Sequence, residues 1–106
     1  MIKSASEFLA LASLKKDVVK VLGKELSIRE LSVAERDKML EVARSASGAA
    51  DTQAYLLKTC VLDPSGNALF SEDQAAEIAR SSPEAVDVVS AAIMRLSGMG
   101  NDEKND

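Results

Sequence analysis

Residues 18–36, VVKVLGKELSIRELSVAER, constrain the fold more than any other stretch of this chain. Asp17–Leu22 is rich in β-branched residues, which favour extended structure. Gly23-Lys24 then offers a turn with glycine first, the preference of a type II′ hairpin. A two-residue turn there sets Leu22 opposite Glu25, Val21 opposite Leu26 and Val19 opposite Ile28. Side chains alternate along a strand, so Val19, Val21, Leu26 and Ile28 share one face. Lys20, Ser27 and Arg29 take the other, with Val18 and Leu22 as apolar exceptions. The hairpin is predicted over residues 17–30. Two strands alone are marginal in water, so it has to pack on helices or pair with another chain.

Helix signals surround the hairpin. Ser32-Val33-Ala34-Glu35 is a capping box: the Ser32 hydroxyl accepts from the amide three residues on, while Glu35 reaches back. The helix it opens carries Met39, Leu40 and Ala43 and is predicted to end near Ser45, closed by Ser47-Gly48. Upstream, Ser4 and Glu7 form a similar box for a short helix over 5–14, with Ala5, Phe8, Leu9 and Ala12 at helical spacing. Asp51 is the predicted N-cap of a third helix over 52–62, apolar on much of its surface and therefore central. Asp63-Pro64-Ser65-Gly66 has the pattern of a type I turn, and Ala68–Phe70 reads as an extended linker. Ser71-Glu72-Asp73-Gln74 is a third capping box. Ser82 and Pro83 are an N-cap and an N1 proline for a last helix to about Leu96, with Gly98 as its stop. The class predicted is α+β, mostly helical: an N-terminal β-hairpin followed by a compact bundle of about four helices. Residues 1–99 form one small domain, and the polar residues 100–106 a flexible tail.

Composition narrows the chemistry. With no histidine, catalytic triads, histidine general bases and most zinc sites are excluded. Cys60, the single cysteine, lies in an apolar helix and is read as a core residue in a reducing compartment. Glu72 and Asp73 fall in a helix first turn, where the dipole favours negative charge, so they read as capping groups. Asp63, Gly66 and Asn67 lack the later ligands of a calcium loop. Neither a catalytic residue nor a cofactor or metal site is assigned, and the chain is read as a non-enzyme. A net charge of −4 argues against nucleic-acid binding. No apolar run is long enough to cross a membrane, and a soluble, cytosolic protein is expected.

The core must be aliphatic, because Phe8, Tyr55 and Phe70 are the only aromatic residues. Small residues bury little area each, so a lone subunit gains modest stability and self-association raises it by mass action. The residues singled out for partner binding or self-association are Val19, Val21 and Ile28 of the hairpin and Val89, Ile93, Met94, Leu96 and Met99 of the last helix. Methionine suits adaptable surfaces. Lys15, Lys16, Lys20 and Lys24 read first as edge protection, and second as a docking patch for an acidic partner.

The sequence resembles the tail assembly chaperones of long-tailed, siphovirus-type bacteriophages. The match lies in Ile28-Arg29-Glu30-Leu31-Ser32 with Glu35-Arg36, in YLLKTCVLDP (residues 55–64), in Leu69–Asp73 and in Ser81–Val86. It covers residues 15–99. The resemblance implies a protein of the host cytoplasm that binds the tape measure protein, keeps it soluble and extended, and helps recruit tail tube subunits. It implies a homo-oligomer, absent from the finished virion, and a family often made in two lengths by ribosomal frameshifting; the polar ending suits the shorter form. The alternative reading is a small helical DNA-associated regulator or adaptor, supported only by the lysines around the hairpin.

Overall fold

A computed structural model describes residues 1–45 and 48–99. The described residues form five helices and one three-stranded antiparallel sheet: α1 (Ala5–Leu11), β1 (Lys16–Val21), β2 (Lys24–Arg29), α2 (Val33–Ser45), α3 (Ala49–Cys60), β3 (Val61–Leu62), α4 (Glu72–Ala79) and α5 (Pro83–Leu96). The predicted α+β class is the one found. The tail expected over residues 100–106, and Ser47 of the predicted helix stop, lie outside the described residues.

The hairpin forms, but its turn is one residue earlier than predicted. Leu22 (φ 52°) and Gly23 (φ 87°) are the two turn residues, and Val21 pairs with Lys24, Val19 with Leu26 and Asp17 with Ile28. Positive φ at both positions is the type I′ geometry, whose twist matches that of the strands. Every pairing therefore moves by two residues. Because side chains alternate with a period of two, that shift leaves each residue on its predicted face. Val19, Val21, Leu26 and Ile28 still point together toward the helices, and all four pack in or against the core.

The sheet gains a third strand that the sequence did not predict. The third helix ends at Cys60, and Val61 and Leu62 turn extended and pair with Ile28 and Ser27. The Asp63–Gly66 turn forms as expected. The Gly66 amide donates to the Asp63 carbonyl at 2.9 Å, and the Asp63 carboxylate accepts from the amides of Ser65 and Asn67 at 2.8 and 3.0 Å. The chain then doubles back, with Ala68 bridging to Leu62.

Helix starts follow the capping signals with one correction. Ser4, Ser71 and Ser82 each cap as predicted. The third helix, however, begins at Ala49 with Gly48 as its N-cap. Asp51 falls in its first turn, where its charge still favours the dipole. Two alanines ahead of Asp51 are good helix formers, and they extend the helix backward. The end of α5 is a Schellman motif: Gly98, at φ 76°, donates to Arg95, and Met99 donates to Met94 at 2.8 Å.

α3 is the central helix, in contact with α2, α4 and α5 and running directly into β3. α5 lies across β1 and β2. Between them sits an aliphatic core of Ile28, Leu31, Met39, Leu57, Val61 and Ile93, among others. Cys60 is wholly buried within it.

The junction between hairpin and α2 is held by charge. Both guanidinium nitrogens of Arg29 donate to the Glu35 carboxylate, at 2.8 and 3.0 Å. The same carboxylate accepts from the Ser32 amide at 2.9 Å, while the Ser32 hydroxyl accepts from the Glu35 amide at 3.1 Å. The Leu31 amide donates to the buried Ser97 hydroxyl, 66 residues further along the chain, at 2.9 Å. The Arg29 hydrogen bonds hold the Glu35 carboxyl down at about 2, against an ordinary 4.5.

Two predictions follow from this geometry. Leu22 is exposed and strained at positive φ, so Leu22→Asn, giving the Asn-Gly pair that type I′ turns prefer, raises stability by about 1 kcal/mol. A thermal melt reads this as a rise of about 4 °C. Glu35→Gln retains a capping side chain but removes the ion pair, and costs about 1–2 kcal/mol at pH 7 after allowance for partial exposure. Because the folded-state value is depressed, the parent's advantage is full above pH 4.5 and vanishes as pH falls toward 2. Melts from pH 7 to pH 3 should show the parent and the Glu35→Gln chain converging.

Candidate functional site

An open, almost wholly apolar groove of about 210 Å³ lies at the turn end of the hairpin. Its walls come from four places in the sequence: Val21 and Leu26 on the hairpin, Phe70 before α4, Ile78 on α4, and Ala85 and Val86 at the start of α5. Leu57 and Val89 form its floor, and both are buried. The Ser71 capping box sets the groove's shape by fixing where α4 begins, directly after Phe70. Ser82 and Pro83 do the same for α5. Lys24 and Glu25 stand at the rim.

A second apolar surface lies at the other end of the hairpin. No residue of α1 is buried, and Phe8, Leu9 and Leu11 are 56, 68 and 69 % exposed. At 100° per residue, Leu11, Phe8, Ala5 and Leu9 fall within one side of the helix, with Phe8 between the two leucines. α1 nevertheless starts in an ordered way. The Ser4 hydroxyl accepts from the Glu7 amide at 3.1 Å, and the Glu7 carboxylate accepts from the Lys3 amide at 3.0 Å. Beyond the helix, Lys15 is tied to Glu30 twice, its carbonyl accepting at 2.9 Å and its amide donating at 2.7 Å.

The residues predicted for partner binding divide into two groups. Ile28, Val89 and Ile93 are between 0 and 4 % exposed and belong to the subunit's own core; of the three, Val89 reaches a surface as part of the groove floor. Val19, Val21, Met94, Leu96 and Met99 are half-buried and pack against that core. The structure brings Val21 and Val89 together in the apolar groove. Val19 and Leu96 meet in a more polar hollow beside Asp17 and Arg95. Leu26, Phe70 and Ile78 were not singled out from sequence, and neither were Phe8, Leu9 and Leu11 as a surface. Two signals pointed to them: the helical spacing before residue 12 and the scarcity of aromatic residues.

The lysines form no uniform patch. Lys16 and Lys20 lie on the outer face of the sheet with Val18, but Lys20 is directly opposite Glu25, and Arg29 is engaged by Glu35. The Asp63 carboxylate is committed to the backbone of its own turn. Among the described residues, no group of three or more His, Cys, Asp or Glu is placed to hold a metal ion. No helix among them is long and apolar enough to cross a membrane. Burial pushes the Cys60 thiol up to about 12, so the thiolate that nucleophilic chemistry requires is suppressed.

No family model, characterised protein or solved structure matches this chain.

Burial of Cys60 gives a direct test of the packing. The native chain should leave its thiol unlabelled by an aromatic disulfide reagent at pH 8, with full reaction only on addition of denaturant. Labelling at the rate of a free thiol in native buffer would mean that α3 and β3 are not packed as described.

Proposed function

We propose that the protein is a non-enzymatic assembly chaperone for a long, largely helical polypeptide, the tape measure protein of a long-tailed phage, and that it works as a homo-oligomer in the host cytoplasm. On this reading it acts before tails are complete, helps bring in tail tube protein and does not remain in the virion. The observation that supports the reading is apolar surface left over once the core is complete: an uncovered helix with Phe8 at its centre, and an uncovered groove floored by Leu57 and Val89. Exposed apolar patches with charged rims mark surfaces that other polypeptides cover. Helix-in-groove recognition uses aliphatic walls of this kind, with polar groups confined to the edge. The choice of client rests on the resemblance of residues 28–36 to the chaperone motif.

The physics of the task fits a small subunit. A long apolar helix kept extended in water needs cover along its whole length, and many small copies provide it more readily than one large protein. The modest aliphatic core favours association, because each contact that binds only the folded state adds to its stability.

Co-expression of the chain with a tape measure protein should yield a soluble complex containing many copies of the chain per client. The client alone should be insoluble. A client that stays insoluble beside the folded chain, with no complex on sedimentation, would overturn the proposal. Tight binding to duplex DNA, falling steeply with added salt, would instead favour the regulator reading.

A further inference from the structure

We infer that α1, with the lysines on either side of it, lies on the surface of an anionic lipid bilayer and holds the subunit there as a peripheral contact. The distribution of charge points to this surface. Residues 1–24 hold five lysines against two acids, Glu7 and Asp17, whereas the rest of the chain holds eight basic side chains against fifteen acidic ones. A chain of net charge −4 thus has one positive region, and asymmetry of this kind marks contact with a polyanionic surface.

The lysine amines are available for it. The ion pairs of the described residues are Arg29–Glu35 and Lys38–Glu41, so none of Lys3, Lys15, Lys16, Lys20 and Lys24 is paired among them. The carboxylates bonded into this region are engaged with backbone amides. Glu7 accepts from Lys3 at 3.0 Å, Asp17 from Val18 at 2.7 Å and Glu30 from Lys15 at 2.7 Å. Lys3 precedes the Ser4 cap, and Lys15 and Lys16 follow the helix, so positive charge stands at both of its ends.

α1 supplies the apolar half of the contact. Phe8, Leu9 and Leu11 are exposed on one side, and Ser6 and Ala10 fall on the other. Ile2 before the helix and Leu14 after it are exposed too. A helix with this pattern seats at a bilayer interface, its apolar side among the upper acyl chains and its flanking lysine stems reaching back to the phosphates. A nucleic acid offers the phosphates without the hydrocarbon, and a protein partner would have to supply a recess of matching shape and charge. No residue of α1 is buried by its own fold, so the helix meets a flat surface without rearrangement. Seven residues are marginal as a helix in water, and an interface that covers the apolar side holds them folded. The contact is adsorption, since no helix among the described residues is long and apolar enough to cross a bilayer. Few apolar side chains take part, so binding by one copy is weak and depends on salt.

The inference concerns the chain alone and is independent of any client. The purified whole chain should float with vesicles of mixed phosphatidylcholine and phosphatidylglycerol, stay behind with phosphatidylcholine alone, and be released from the anionic vesicles as salt is added. Phe8→Asp should weaken binding to the anionic vesicles by at least about tenfold, and so should Lys3→Glu combined with Lys16→Glu. Far-ultraviolet circular dichroism and melting temperature should stay unchanged in both, since these side chains take no part in the core. For geometry, a polarity-sensitive dye on a Leu9→Cys chain should shift to the blue with anionic vesicles, while the same dye on a Leu40→Cys chain, exposed on α2, should not. Cys60, fully buried, takes no label. A parent chain that stays behind with anionic vesicles, equal flotation with neutral ones, a variant of either kind that floats like the parent, or equal dye shifts at the two positions would each overturn the inference. Failure here with a client complex still formed would remove the membrane contact and leave the chaperone reading intact. Flotation without a client complex would do the reverse.

Discussion

The Arg29–Glu35 ion pair is the constraint on which the rest of the fold depends. It sits where the chain passes from sheet to helix, and its carboxylate does three things at once. It takes both guanidinium nitrogens of Arg29, accepts from the Ser32 amide, and places negative charge at the N-terminus of α2. A partly buried pair gains little if its remaining polar groups are unmet; here Arg29 also donates to the Glu30 carbonyl. The angle between hairpin and α2 is thereby fixed. Ile28 and Leu31, on either side of Arg29 and Glu30, then enter the core together. The Leu31 amide extends the same knot to Ser97 at the end of α5, so the last helix is closed against the first strands.

That knot matters because the core around it is weakly driven. Among the described residues its largest fully buried side chains are Ile28, Leu57, Ile93, Val61 and Cys60, with no aromatic among them. Phe70 and Tyr55 are only half-buried, and Phe8 lies outside altogether. Large aromatics are what usually fill the space where several elements meet. Here the meeting of hairpin, α3, α4 and α5 is left as a groove. The same shortage of bulky residues that makes the subunit modestly stable also leaves the groove open.

Much of this was legible in the sequence, and what was not has a physical reason in each case. Caps are local, needing only a hydroxyl and an amide two or three residues apart, and Ser4, Ser32, Ser71 and Ser82 all cap as read. The hairpin faces were legible because alternation survives a shift of two residues. The turn itself was not, since a leucine at positive φ runs against its local preference and is imposed by strand twist. Val61 and Leu62 could not be read as a strand: two residues continuing an apolar helix carry no period of their own, and only the free edge of β2 draws them out. The groove was the least legible feature, because its walls are distant in sequence and each wall residue alone looks like core.

Several of the residues that carry the family resemblance build the fold, while Leu57, Phe70, Ala85 and Val86 among them also line the groove. Arg29, Ser32 and Glu35 bind one another, Asp63 closes its own turn, and Ser82 and Pro83 start α5. The polar groups of Arg29, Ser32, Glu35 and Asp63 are engaged within the chain itself. Residues of this kind serve the frame of the chain, and on the proposed reading recognition resides in side chains that the frame leaves uncovered. Those are Phe8, Leu9 and Leu11 on α1, the groove walls around Phe70 and Ile78, and the charges at their edges. A chain could therefore change these residues, and with them its partner, without disturbing the knot at residues 29–35. Conversely, a change at Glu35 would weaken every surface at once, by loosening the frame that holds them in position.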